Sequence, residues 1–172
     1  MRQTHLPTAC KRRARLSESV EKVIDQITFE ITQIDRLFTV YAELLARVQQ
    51  RQPDTVEIAA VASVLHSFYN GVENIFLIVA KQIDQNVPTG NQSHRDLLVQ
   101  MMKQNAHRSK VISTETGKQL GDFLGFRHFY RHSYSFFIDW NELQILVFVL
   151  NAVWSQVKSD LDLFKTNLQA RG

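Results

Sequence analysis

The residues from Phe126 to Trp140 read FRHFYRHSYSFFIDW and contain two Arg, two His, two Tyr and four Phe. Arginine is a permanent planar cation that matches the geometry of phosphate, and histidine gives or takes a proton near neutral pH. These residue types are what a protein needs to act on a phosphodiester. The aromatic residues between them fit either a hydrophobic core or stacking surfaces for bases.

The chemistry that an Arg and a His support together is metal-free cleavage of RNA. The imidazole takes or gives the proton at the attacking 2′-hydroxyl or the leaving 5′-oxygen, which contributes about 10²- to 10⁴-fold in rate. The guanidinium stabilises the negative charge that develops on the phosphorane, most strongly in a cleft with little water. DNA lacks the internal nucleophile, so this chemistry would select RNA.

The spacing of the candidate residues limits how one helix can use them. Arg127 and Arg131 are four apart and share a helix face. Arg127 and His132 are five apart, which is about 140° around an α-helix. Either the helix ends between Arg127 and His132, or two copies of the motif converge across the two-fold axis of a dimer. A helix end near Ser133 is also compatible with the spacing.

Other uses of these residues stay open on the sequence alone. His128 and His132 have no obvious third and fourth ligands, so zinc is a minor alternative and no metal is predicted. Arg127 and Arg131 could be solvated, with the two histidines as ordinary surface residues. Glu73 lies in a largely apolar stretch, where it either pairs with a basic group or orients an Arg or His in a site.

The rest of the chain predicts helices. Apolar residues recur at intervals of three or four, the pattern of amphipathic helices, and no stretch shows the two-residue alternation of a strand. We predict an all-α, largely antiparallel bundle of four to five helices. The expected helices run from Leu16 or Ser17 to Val48, Val56 to Asp84, His94 to Gln104, Thr114 into the Arg–His stretch, and Asp139 onward.

Local signals mark the ends and packing of these helices. Asp54 or Thr55 is expected to cap the second helix, and Asp139 with Glu142 has the spacing of a capping box at the start of the last one. Gly71 lies inside the second helix, where the close approach of a neighbouring backbone would explain it.

Composition indicates one domain with a basic arm. The chain has 172 residues and a net charge of +3, and its first 17 residues carry five basic groups and no acidic one. Residues 1–15 are typical of a solvated, disordered tail, with a nucleic-acid-binding arm as the alternative, and 16–170 form the predicted domain. The single cysteine, Cys10, favours a reducing compartment such as the cytoplasm, and no apolar run is long enough to span a membrane.

The segment from Arg127 to Tyr134, RHFYRHSY, resembles the Arg-x4-His-x-Tyr signature of HEPN-domain ribonuclease toxins of the HepT type. A polar residue directly after the arginine, here His128, also fits that family. The resemblance continues upstream through FYNGVENIF at 68–76 and Pro88-Thr89-Gly90 with His94, and downstream to Asp139-Trp140. It covers roughly residues 16–168.

The resemblance implies a function and a set of residue roles. Proteins of this type are metal-independent endoribonucleases that act on cellular RNA such as tRNA or mRNA, with no cofactor. They form homodimers in which both motifs line one cleft. Arg127 and His132 would be the catalytic pair, His128 would assist them, and Glu73 and Arg131 are candidates for support.

The resemblance also implies a partner. Toxins of this type are encoded beside minimal nucleotidyltransferases of the MNT type, which act as antitoxins by transferring AMP from ATP to the motif tyrosine, here Tyr134. An added nucleotide would bring negative charge and bulk to a cationic RNA cleft.

Two alternatives remain. The chain could be a catalytically silent HEPN-type module that binds RNA or a nucleotidyltransferase, or a plain helical interaction module. The apolar residues around the motif are expected to serve the core or a dimer interface rather than base stacking: Phe123, Leu124, Phe126, Phe136 and Phe137.

Overall fold

The fold is known from a computed structural model, which describes residues 8–132, 134 and 138–170, with side chains from residue 18 onward. This part of the chain contains six α-helices and no strand, which confirms the predicted all-α bundle. The helices are α1 (Thr8–Val40), α2 (Ala42–Val48), α3 (Thr55–Gln82), α4 (Ser93–Met101), α5 (Thr114–His132) and α6 (Trp140–Gln169).

The sixth helix arises because the predicted first helix is interrupted at Tyr41. Its backbone has φ −102° and ψ 13°, outside the range of a regular helix. Helical hydrogen bonds nevertheless cross this point, from Tyr41 N to Leu37 O (3.1 Å) and from Leu45 N to Tyr41 O (2.9 Å). Tyr41 therefore marks a local distortion between α1 and α2, which the apolar periodicity could not reveal.

The start of α1 differs from the prediction. The helix begins at Thr8, inside the segment assigned to the basic arm, rather than at Leu16 or Ser17. The separation of that arm from the domain stays a prediction.

Helix α3 lies at the centre of the bundle and packs against each of the other five helices. Its sequence is apolar on more than one face, so it can bury side chains on several sides at once. Val61, Leu65, Phe68, Val72 and Ile75 are among its fully buried residues. The core continues from α3 into α1, α5 and α6 through Ile27, Ile34, Phe123, Trp154 and Phe164.

The ends of the helices are fixed by side-chain caps. Asp54 caps α3 in a reciprocal capping box with Glu57, and Asp139 caps α6 by accepting from the backbone N–H of Asn141. Helix α5 starts at the expected Thr114 and is capped by Ser113, the residue before it. The Ser113 hydroxyl accepts from the backbone N–H of Thr116 at 3.1 Å.

Asp160 of α6 ties the first turn of α5 to the bundle. Its Oδ2 atom accepts from Ser113 N at 2.8 Å and from Thr116 Oγ1 at 2.6 Å. Burial acts to raise the pKa of Asp160, but these hydrogen bonds outweigh it and hold the pKa below its usual value.

Gly71 allows α1 and α3 to approach closely. A Cβ atom at this position would lie 2.7 Å from Cγ1 of Ile34, which is too close for two carbon atoms. The neighbour is the Ile34 side chain, whereas the sequence suggested a backbone.

The connection between α4 and α5 is held by a buried arginine. α4 ends at Met101, before the predicted Gln104. Arg108 then turns inward, is 1% exposed and pairs with Asp84 just beyond the end of α3. Its Nε and Nη2 atoms each donate to Asp84 at 2.7 Å. The connection, which is polar and basic in sequence, therefore contains a core residue.

In the described part of the chain, no helix is long and apolar enough to cross a membrane.

Candidate functional site

Three polar residues of α3 form a row that faces α5 and α4. His66, Asn70 and Glu73 are spaced by four and three positions, so they lie on one face of the helix. Polar side chains inside a bundle must find partners. Those partners include Arg127 of α5 and His94 of α4.

Arg127 is held by two of these residues. It is 8% exposed, its Nε donates to Asn70 Oδ1 at 2.8 Å, and its Nη2 lies 2.9 Å from Glu73 Oε2. The guanidinium is therefore fixed in orientation, because an amide oxygen and a carboxylate oxygen engage two different nitrogens.

Glu73 is shared between Arg127 and His94. Its other oxygen, Oε1, lies 2.6 Å from His94 Nδ1. The Glu73 side chain is 8% exposed, whereas the His94 side chain is 45% exposed. Glu73 is thus the buried centre of an Arg–Glu–His cluster that reaches the surface at His94. This geometry is compatible with both uses expected of Glu73, which were to pair with a basic group and to orient an Arg or His. A role of Glu73 in catalysis stays a prediction.

His66 closes the other end of the row. Asn70 uses its oxygen for Arg127, so its amide N–H₂ donates to His66 Nε2 at 2.9 Å. That bond assigns the ring proton to Nδ1, which is buried and has no partner among the described residues. Burial, followed by repulsion from Arg127 and Arg131, lowers the pKa of His66 despite the opposing effect of Glu73.

The last turn of α5 carries a second cluster. The rings of His128 and His132, one turn apart, have centroids 4.9 Å apart, and both residues are exposed. Arg131 is also exposed. Since α5 continues to His132, the helix does not end between Arg127 and His132. Within one copy of the chain, Arg127 pairs with Glu73, whereas the ring of His132 lies against that of His128. A dimer that brings the two clusters together stays a prediction.

Tyr134 follows the end of α5 and is 71% exposed. Its neighbours Ser133, Phe136 and Phe137 lie outside the described residues, so the predictions made for them are not addressed. Of the other apolar positions around the motif, Phe123 is buried in the core. Leu124 and Phe126 are partly buried and pack against that core.

Two surface hollows are lined in part by the helices that carry these clusters. One, of about 300 Å³, lies beside the C-terminal half of α5 and includes Phe129 and Glu142. A larger groove of about 690 Å³ runs between α1 and α3 and contains no candidate site residue. The polar cluster, rather than the larger groove, is the candidate site, because the cluster combines buried charge with titratable groups.

No group of three or more His, Cys, Asp or Glu among the described residues is arranged to hold a metal ion.

The fold is an all-α bundle, and its candidate site is a buried Arg–Glu pair beside a helix end that carries exposed histidines. The family described as HepT-like protein matches residues 60–168. This chain belongs to the HepT-like family, which comprises HEPN-type modules that are generally of the nuclease type. The match contains α4, α5 and every residue of both clusters, and it starts later than the resemblance at residue 16. No curated protein and no solved structure matches the chain significantly.

Sequence reasoning did not single out Asn70, His66 or Arg108 as partners. For Asn70 and His66 a signal existed, since both fall on the same face of α3 as Glu73. For Arg108 there was none, because its partner Asp84 is remote in sequence and nothing near it indicates burial.

Proposed function

We propose that this chain is a metal-independent endoribonuclease toxin of a toxin–antitoxin pair, acting as a homodimer on cellular RNA such as tRNA or mRNA. The observation that carries the proposal is the fixed Arg127, held at 2.8 Å by Asn70 and at 2.9 Å by Glu73, on the same helix as the exposed His128 and His132. A cation that is already in position before the substrate binds can stabilise the charge that develops in the transition state without reorganisation of the site.

In the proposed reaction the 2′-oxygen of a ribose attacks the adjacent phosphorus. An O2′–P bond forms, the P–O5′ bond breaks, and the products end in a 2′,3′-cyclic phosphate and a 5′-hydroxyl. Arg127 stabilises the pentavalent phosphorane, and His132 acts in proton transfer with His128 beside it. Arg131, exposed one turn beyond Arg127, supplies further positive charge to the RNA.

The separation of the two clusters supports the proposed dimer. Arg127 and His132 occupy different faces of α5, so one protomer does not direct both at a single phosphate. A second copy related by a two-fold axis would present its own α5 to the first. The cleft between the two copies would then combine guanidinium and imidazole groups from both.

The proposed partner is a nucleotidyltransferase antitoxin that modifies Tyr134. The phenolic oxygen would attack the α-phosphorus of ATP, pyrophosphate would leave, and the phenolic proton would pass to solvent. The exposure of Tyr134, 71%, supports access by a second enzyme. The added AMP would place negative charge close to Arg131 and His132, where RNA would otherwise bind.

The test of catalysis uses the purified chain with EDTA and a structured RNA. We expect cleavage to 2′,3′-cyclic phosphate ends, and at least a 100-fold loss of rate in Arg127→Gln and His132→Ala. Exposed residues elsewhere provide matched controls, Arg36→Gln and His107→Ala, which should keep the parent rate. Circular dichroism melting checks that each variant is folded. Full activity in His132→Ala would remove that residue from the mechanism.

The modification has its own test. Incubation with the antitoxin and ATP should add mass in steps of one AMP, and the modified chain should no longer cleave RNA. Tyr134→Phe should not gain that mass. If the phenylalanine variant is modified equally well, the acceptor is another residue.

A second candidate, a catalytically silent module that binds RNA or the nucleotidyltransferase, is favoured by one observation. Arg127 is 8% exposed and already paired with Glu73, as a purely structural arginine would be. This candidate predicts that the chain retains RNA on a filter without producing fragments, and that its expression is not toxic.

A further inference from the structure

His94 is the surface-exposed member of the Arg127–Glu73–His94 cluster. Its Nδ1 atom lies 2.6 Å from Glu73 Oε1, while its side chain is 45% exposed. A carboxylate accepts hydrogen bonds, so Nδ1 carries the proton in this pair. With Nδ1 turned toward the buried carboxylate, Nε2 lies on the outer edge of the ring and carries the lone pair when the ring is neutral.

We propose that His94 is the proton acceptor of the ribonuclease reaction, oriented by Glu73 and placed beside Arg127. The inference rests on the proposed function and extends it. His132 then has the opposite task of donating a proton to the leaving 5′-oxygen. Nothing in the Arg-x4-His motif itself includes His94, which lies on a different helix.

The geometry of Glu73 supports this assignment. One carboxylate touches Arg127 through Oε2 and His94 through Oε1, so the group that would bind the phosphate and the group that would take the proton are fixed by the same side chain. A carboxylate behind an imidazole fixes the tautomer and stabilises the imidazolium that forms when the ring takes up a proton.

The balance of protons also favours a second imidazole. The O2′–P bond forms as the 2′-hydroxyl proton passes to Nε2 of His94. The P–O5′ bond breaks as the 5′-oxygen receives a proton from a protonated His132. Afterwards His94 is the charged imidazole and His132 the neutral one, and exchange with water restores both. His128 and His132 lie together on one turn, apart from Glu73, whereas His94 belongs to the Arg127 cluster.

Charged groups surround His94. Glu73 approaches from α3, Arg127 lies across the same carboxylate from α5, and Arg95 and Asp96 flank the first turn of α4 and are exposed. The proposed proton acceptor is the lone pair on Nε2 of the neutral ring.

The decisive variant is His94→Asn, because the asparagine amide overlays Nδ1 and can still donate to Glu73 without accepting a proton at neutral pH. We expect kcat to fall by about 10²- to 10³-fold with a small change in KM. Added imidazole should restore part of the rate of His94→Ala, since the site is exposed. His107→Asn, an exposed histidine on the α4–α5 connection, is the matched control and should behave like the parent chain.

The outcomes separate the two levels of the proposal. If the parent chain cleaves RNA in EDTA and His94→Asn keeps its kcat within a few-fold, His94 only positions Glu73 and the inference is wrong. If the parent chain does not cleave RNA at all, the proposed function itself fails, and the inference fails with it. Nitrogen-15 NMR of the imidazole is a further check: a proton on Nε2 rather than Nδ1 in neutral His94 would also overturn the assignment.

Discussion

Arg108 and Arg127 are both buried, and both pair with a carboxylate on or just after α3, yet their surroundings differ. Arg108 is 1% exposed, and its five N–H groups are all used: two by Asp84 and three by the backbone carbonyls of Lys103, Ser109 and Gln100. Arg127 is 8% exposed, its described bonds engage Nε and Nη2, and its carboxylate is shared with the exposed His94. A buried arginine with every donor satisfied has no capacity for a ligand, whereas one whose carboxylate connects to a surface imidazole is suited to a site.

The largest expected effect is on stability at Arg108. Arg108→Ala should lower the free energy of unfolding by about 3–5 kcal/mol, because it leaves the Asp84 carboxylate buried without its counter-charge. Asp84 keeps only the amide donors of Gln100 and Asn105. Urea denaturation measures the loss. Lys110→Ala, at an exposed position on the same connection, is the control and should change stability by less than about 0.5 kcal/mol.

The second effect compares how lysine in place of each arginine changes the rate of RNA cleavage and the stability of the fold. Under the proposed function, Arg127→Lys should lower the rate of RNA cleavage per folded molecule by about 10²- to 10³-fold, because an ammonium does not reproduce the fixed fork of the guanidinium. Arg108→Lys should lower stability but leave the rate per folded molecule unchanged. Folded fractions come from circular dichroism and rates from RNA cleavage in EDTA. A loss of rate in the Arg108 variant equal to that of Arg127 would show that the two clusters are not separate.

The third effect is a difference in acid sensitivity. Burial lowers the pKa of His66, so its contribution to stability is complete above its ordinary pKa of 6.5 and is lost as the pH falls toward the lower folded value. Burial alone would raise the pKa of Asp84, but the bonds from Arg108 and two amides outweigh it. The Asp84 contribution is therefore complete above 3.8 and is lost only below that pH.

Urea midpoints measured from about pH 8 to pH 3 test this order. His66→Gln should remove much of the loss of stability that begins as the pH falls below about 6.5, and Asp84→Asn should reduce the loss below about pH 4. Asp160, whose pKa is also lowered, shares the second step, so part of it should remain in Asp84→Asn. A His66 variant with an unaltered profile near neutral pH would contradict the burial of a neutral ring.

The smallest effect is at Arg131. Repulsion from this arginine is one of the causes that lower the pKa of His66, after burial and Arg127. Arg131→Gln should therefore raise the pKa of His66 toward its ordinary value while leaving the urea midpoint at pH 8 nearly unchanged, because Arg131 is exposed. Proton NMR titration of the His66 ring measures the shift, and Arg95→Gln on α4 is the control.

The helices of this fold could be predicted from periodicity because each buries an apolar stripe, and Asp54 and Asp139 have the chemistry of caps. Glu73 stood out because a carboxylate in an apolar helix needs a partner. What could not be predicted was the identity of that partner, since contacts between α3, α4 and α5 depend on how the helices pack. Arg108 is the clearest case: in sequence it belongs to a solvated basic loop, and only the turn of that loop toward Asp84 makes it a core residue. The distortion at Tyr41 likewise leaves the apolar spacing intact.

The attachment of α5 has a mechanical consequence. Asp160 accepts hydrogen bonds from the first turn of α5. Further along the helix, Asn70 and Glu73 hold Arg127. The exposed residues of the following turn are His128, Arg131 and His132. Tyr130, which lies between these exposed residues, still packs against the core, and its ring centroid is 4.8 Å from that of His66. A bulky group on Tyr134 would therefore act on the helix end beyond Tyr130. The supported length of the helix would keep its shape. Under the proposed function, modification of Tyr134 would stop the activity, and its removal would restore it, without refolding of the bundle.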